Sequence, residues 1–246
     1  MQVTLGNTIG AGLLGCTAAA VLFGVAIVQA YIYYTHYPKD WVFQKVIVGF
    51  LLLVDTVHTG MTTHTVYYYV IEQFGNVFAL EFVVWSFKLQ VVFNVFILLL
   101  VQTLYVMRIW KLASHFSRVW PAIIIAILVG GYAIGFLLAF HSFRLKSWDG
   151  LDGMASVVKA SFSCSTGIDI ILAASMCYYL NRSKTSFVGT NNRIVAVIHY
   201  VLISGSLTSA TSLAILLCFL AMPNNLIFIS ITFIVTKVYI NSYLAM

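Results

Sequence analysis

The chain has 246 residues, 61% of them hydrophobic and 8% charged, with thirteen Lys or Arg against seven Asp or Glu and a mean hydropathy of +0.98. A soluble domain needs about 25% charged residues to cover its surface. Composition therefore excludes a water-soluble globule, a disordered tail, a disulfide-stapled secreted module and a nucleic-acid binder. The net charge of +6 reads as the bias of Lys and Arg toward cytoplasmic connections of a membrane protein.

Apolar runs long enough to span a bilayer, about 20 residues each, alternate with short polar breaks. Span 1 is predicted over Ile9 to Tyr34, stopped by Tyr37-Pro38-Lys39-Asp40 because proline cannot extend a helix. Span 2 follows over Gln44 to Val70, span 3 over Glu81 to Trp110 and span 4 over Val119 to Phe143. Span 5 covers Ala155 to Leu180 and span 6 Arg193 to Leu220. Span 7 runs from Asn225 to Met246, after the turn at Met222-Pro223-Asn224. Long continuous runs favour helices over the ten-residue alternations of a barrel, and a helix satisfies its own backbone polar groups, as hydrocarbon demands. The expected fold class is all-α, a polytopic bundle of seven transmembrane helices forming one domain over residues 1–246. Six or eight helices are the alternatives.

Charge sets the expected orientation. Lys39, Lys45, Arg108, Lys111, Arg118, Arg182, Lys184 and Arg193 fall in or beside the first, third and fifth connections, whereas the other side holds Arg144 and Lys146. Eight against two puts the odd connections in the cytoplasm, the N-terminus outside and the C-terminus inside. The first 38 residues lack Lys and Arg, so span 1 reads as a retained anchor rather than a cleaved signal. The sequon Asn181-Arg182-Ser183 then lies on the cytoplasmic side and is expected to stay bare. Cys16, Cys164, Cys177 and Cys218 sit in apolar runs without a CxxC pair; they read as small packing residues, not as a metal or disulfide set.

Several strings occur together in this frame: Tyr37-Pro38-Lys39-Asp40, Asp55-Thr56-Val57-His58, Trp85-Ser86-Phe87-Lys88-Leu89-Gln90 and Arg108-Ile109-Trp110. Cys177-Tyr178-Tyr179-Leu180 and Met222-Pro223-Asn224-Asn225-Leu226 follow, with Lys237, Tyr239, Asn241 and Ser242 beyond. In this combination the chain resembles a large family of seven-helix proteins from mushroom-forming fungi, catalogued as a domain of unknown function. The resemblance covers nearly the whole chain and implies fold and topology, but no activity, ligand or site. Relatives continue into a polar cytoplasmic tail, so a chain stopping at Met246 is expected to be shortened.

Ionisable groups inside hydrocarbon need partners, since each costs at least about 2.5–3.5 kcal/mol at the bilayer centre. Asp55 in span 2 and Lys237 in span 7 lie at depths differing by about 5 Å, counted at about 1.5 Å per residue, and are expected to pair. Such a pair serves either packing or a ligand site. At 100° per residue, His58, Thr59, Thr62, Thr65 and Tyr69 share the face of Asp55, with His64 opposite. Asp169 in span 5, with Ser165 and Thr166 one turn earlier, is the further candidate for a polar pocket. The alternative is hydroxyls bonded back to their own helices. Trp85 and Lys88 are expected as interface anchors, and His199 as a packing histidine. Gly131 and Gly135, with small pairs on span 6, permit close helix contact, within the bundle or in a homodimer.

No HExxH and no His pair with a third carboxylate on one face is present, so no catalytic residues, metal or cofactor are expected and the chain is not read as an enzyme. A retinal Schiff base at Lys237 lacks the carboxylate one turn earlier, where Phe233 stands. Expected partners are membrane lipids and a small apolar ligand, not nucleic acid. The leading expectation is a receptor-like sensor of a small ligand or lipid. A small-solute or ion transporter and a lipid-organising protein are the alternatives, and the membrane is either plasma membrane or endomembrane.

Overall fold

The computed structural model of the chain describes residues 9–76, 82–113, 119–183, 188–222 and 225–245. The predicted ends at Glu81, Arg118, Lys184, Pro223, Asn224 and Met246 lie outside the described residues. Among the described residues, seven helices are each long and apolar enough to cross a membrane. They are α1 (Ile9–His36), α2 (Val42–Tyr67), α3 (Trp85–Ala113), α4 (Val119–Arg144), α5 (Leu151–Arg182), α6 (Val188–Ala221) and α7 (Ile227–Leu244). No β-strand occurs among the described residues; one isolated bridge joins Phe82 to Ser147.

The helices follow the hydropathy because each is a continuous apolar run, and their ends follow the punctuation. Pro38 sits between α1 and α2, where its missing N–H costs no helix bond. Helix α2 ends in a π-helical turn, Tyr68–Glu72, and Gly75 closes the connection with φ +79°, a left-handed conformation that glycine adopts without strain. Helix α3 starts at Trp85, a turn later than the predicted Glu81. The reason is that Val83 N–H is drawn to the Lys146 carbonyl (3.0 Å) and Val84 N–H to the Tyr69 hydroxyl (3.0 Å). Those bonds hold residues 82–84 extended and tie the second connection to the fourth.

Consecutive helices pack side by side and α1 closes the ring against α7. Helix α7 is the most enclosed, with neighbours α1, α2, α3 and α6. Close approach is paid for in glycine. A Cβ on Gly15 would lie 2.7 Å from the Ser230 backbone, and one on Gly205 2.5 Å from Ala173 Cβ. Gly131 abuts Ile168 of α5 while Gly135 abuts Val95 and Leu99 of α3, so the glycine step of α4 seats that helix against its own neighbours. On α6, Ser204 and Thr208 are buried whereas Ser206 and Ala210 are exposed. All four cysteines are free. His199 is exposed on α6, which corrects its reading as a packing residue: the neighbours α5 and α7 take the opposite side of the helix, that of Val201, Ser204 and Thr208.

Candidate functional site

The Lys237 side chain enters the bundle from α7 and meets α2. Its ammonium is ion-paired and hydrogen-bonded to Asp55 Oδ1 and donates to Thr59 Oγ1 (2.6 Å) and to the Asp55 carbonyl (3.2 Å). From α1, the Phe23 ring lies 5.2 Å from Nζ, a cation–π distance. Asp55 and Lys237 are both 0% exposed, so neither touches a space that admits water. In hydrocarbon this enclosure is tolerable because the two charges neutralise one another. The pair expected from depth alone is made.

His58, also fully buried and one turn beyond Asp55 on α2, reaches α3 and α7. Its Nε2 accepts from Gln90 Nε2 (3.3 Å) and its Nδ1 faces Thr236 Oγ1 (3.5 Å). Asp55 Oδ2 and Gln90 Oε1 remain buried without partners. Thr62 donates to the His58 carbonyl (2.9 Å), so it is spent on its own helix. Thr65 reaches Ser86 of α3 (2.9 Å) and Tyr69 donates to the Phe82 carbonyl (2.7 Å). His64, expected on the opposite face, bonds Ser86 from the other side (2.9 Å) with its ring 5.1 Å from Trp85. It does so because α3 lies along the flank of α2, reachable from both edges of the stripe. Trp85 opens α3 with 55% of its surface exposed, and Lys88 is half-buried one turn on.

Asp169 belongs to a separate network. Tyr239, two residues beyond Lys237 on α7, donates its hydroxyl to Asp169 Oδ2, and Gln102 Nε2 of α3 donates to Oδ1 (3.0 Å). Ser165 and Ser212 contact the Tyr239 hydroxyl at 3.1 and 3.4 Å. Residues two apart on a helix point about 200° away from each other, so Lys237 and Tyr239 serve opposite sides of α7. The common pocket expected around Asp55, Asp169 and Lys237 is therefore replaced by two networks on either flank of one helix. Sequence reasoning missed Gln90, Gln102 and Tyr239. A glutamine at mid-depth of a hydrophobic helix was a readable signal, since an amide there must find a partner.

Away from the ion pair, two open spaces are apolar. A cavity of about 550 Å³, counted with its opening, is lined by Gly12, Thr65, Tyr69, Phe87, Trp148 and Phe233. A second of similar size extends past Phe87 and Ile229 toward Met154 and Phe162. Phe233 is one turn before Lys237 on α7, so the first cavity ends where the ion-paired layer begins. Among the described residues no three His, Cys, Asp or Glu converge on a metal position.

At the opposite end of the bundle a larger cleft, about 1060 Å³ with its opening, is lined by Gln29, Tyr33, Tyr37, Asp40, Arg108 and Tyr243. The Arg108 guanidinium stacks over Tyr243 at 4.4 Å. Tyr33 donates to Asp40 Oδ2 (2.6 Å) and Trp41 N–H to Oδ1 (2.8 Å). These donors, Tyr33 first, hold the Asp40 carboxyl below its usual 3.8. A depressed carboxylate contributes stability that is present above its ordinary value and is lost as pH falls through the folded one. Protection of the amides at residues 39–42, taken relative to their intrinsic exchange rate at each pH, should accordingly fall below about pH 4 in the parent. Asp40→Asn should show the lowered protection throughout and no acid step.

A seven-helix, multi-pass membrane protein with two buried polar networks and an apolar cavity is the class that fold and site define. The model of a family of unknown function (DUF6534) matches residues 165–246. That stretch runs from Ser165 to the end of α7 and includes Asp169, Ser212, Lys237 and Tyr239. No curated protein and no solved structure matches the chain.

Proposed function

We propose that this chain is a receptor-like sensor that binds one small apolar ligand or lipid in the cavity bounded by Gly12, Phe87, Trp148 and Phe233, and reads its occupancy through α7. The observation that carries this reading is the shared wall: Phe233 lines the cavity one turn from Lys237. A ligand pressing on that ring acts on the helix that holds Asp55 and Asp169 from its two flanks. The cavity has the apolar walls and few polar groups of a small-molecule site. Buried pairs that specify an arrangement at little net gain suit an element with two close-lying states. The reading assigns no catalytic role. Its orientation places the cavity at the outer face, with the basic odd connections in the cytoplasm; a glycan found on Asn181 would reverse that assignment.

The test is titration of the purified protein with a fluorescent polyene fatty acid. Saturable one-to-one binding is expected. Gly12→Leu should weaken it about tenfold, the effect of filling part of a site with a side chain worth about 1.4 kcal/mol in lost contacts. Gly12 has nothing within 4 Å of a built Cβ, so the substitution occupies the cavity without straining the fold. Equal binding by parent and Gly12→Leu, or counterflow of a labelled solute in proteoliposomes, would sink the sensor reading, the latter in favour of a transporter.

A further inference from the structure

Asp169 is a buried carboxylate without a counter-charge. It is 5% exposed, and the one ion pair among the described residues is Lys237–Asp55. A lone carboxylate in a low-dielectric interior is far too costly to stay ionised unless a cation neutralises it. The groups around Asp169 are oxygen-rich and come from four helices. Beside its own two oxygens stand the hydroxyls of Ser165 (α5), Ser212 (α6) and Tyr239 (α7), with the Gln102 amide from α3. We propose that this cluster is a binding site for a single sodium ion.

Three observations select that ion. All the donors are oxygens apart from a Gln102 amide that can present its own oxygen by rotating half a turn, which suits a hard cation and not a soft one. One carboxylate cancels one positive charge, so a divalent ion would leave an excess charge in the dry interior. The Ser165–Tyr239 and Ser212–Tyr239 oxygen separations are 3.1 and 3.4 Å. These are mutual hydrogen-bond contacts, and with Tyr239 also bonded to Asp169 they leave the cluster little room to expand around an ion. Sodium, the smaller of the two common monovalent cations, is therefore favoured over potassium. On binding, the Tyr239 proton turns from Asp169 to Ser165 or Ser212 and a lone pair faces the ion.

The site also has room beside it. Asp169, Tyr105, Ser204 and Thr208 line a space of about 310 Å³ between α5 and α6. Gln102 and Ser165 line another of about 480 Å³ against α4, and there Ser161 Oγ is buried without a hydrogen-bond partner. That unpartnered hydroxyl, one turn from Ser165, is placed to bond water carried in with the ion. The inference is independent of the apolar-ligand reading: the sodium cluster lies on the other flank of α7 and needs no organic ligand.

The experiment is thermal unfolding of the purified protein at constant ionic strength and pH, with sodium replaced stepwise by choline or potassium. A saturable rise in Tm with sodium is expected, reaching about 3 °C once sodium is tenfold above its dissociation constant. Asp169→Asn should abolish the rise, and Ser212→Ala should move the sodium midpoint about tenfold higher, the usual scale for one supporting ligand. No sodium dependence beyond choline, or a dependence unchanged in Asp169→Asn, overturns the proposal. So does a Tm that responds to pH alone, identically in sodium and in choline, because the carboxyl is then neutralised by a proton. Should Asp169→Asn fail to fold, Ser212→Ala decides: an unchanged sodium midpoint overturns the site.

Discussion

Lys237→Met on its own will destabilise the bundle by about 3–5 kcal/mol, the range seen when one member of a buried ion pair is removed. The loss is large because Asp55 cannot escape. It is wholly enclosed, its Oδ2 has no partner, and its Oδ1 is held by the ammonium alone. Removing Lys237 leaves a carboxyl that must either stay charged in hydrocarbon or take up a proton, and Thr59 Oγ1 loses its second contact. Asp55→Leu combined with Lys237→Met should recover most of the loss, since replacing a whole buried pair by apolar side chains is often neutral or better. The four stabilities, measured by reversible denaturant unfolding in bicelles, form a double-mutant cycle. A single variant within about 1 kcal/mol of the parent, or a double variant as unstable as the sum of the singles, contradicts this account of the pair. If the double variant is stable but no longer couples fatty-acid binding to a change at α7, the pair serves the switch rather than the fold.

Gly15→Ala should destabilise while Gly24→Ala on the same helix should not. At Gly15 the added methyl would sit 2.7 Å from both Cα and O of Ser230 and 2.8 Å from its Cβ. The first two are backbone atoms of α7, which is hemmed in on its other sides by α2, α3 and α6 and cannot step aside. Overpacking of this kind costs about 1–3 kcal/mol, more than the helix-propensity gain of about 1 kcal/mol from glycine to alanine. Gly24 has nothing within 4 Å, so there the propensity gain stands alone and Tm should hold or rise. Opposite signs in the two variants are the expected result. Equal shifts would mean that α1 does not approach α7 as closely as described.

How much of this was legible beforehand differs between levels. The crossings were readable to within a few residues, because hydropathy and backbone satisfaction act locally and each run had to become a helix. One offset, the start of α3, arose from bonds between residues 82–84 and two distant partners, Tyr69 and Lys146, that no local pattern announces. Within the site, Asp55 and Lys237 were legible as a pair because two charges at matching depth have few other ways to be neutralised. The bond of His64 to Ser86 was not legible, since helical angle gives the direction of a side chain but not which neighbour stands there.

Local sequence therefore settled the number of crossings, their lengths and the demand that buried charges be matched. Only the packed bundle decided that Asp55 takes Lys237 and Asp169 takes Tyr239, and that an apolar cavity opens beside Phe233. Burial cost belongs to a residue and its span, whereas partnership depends on which helices stand on the two flanks of α7.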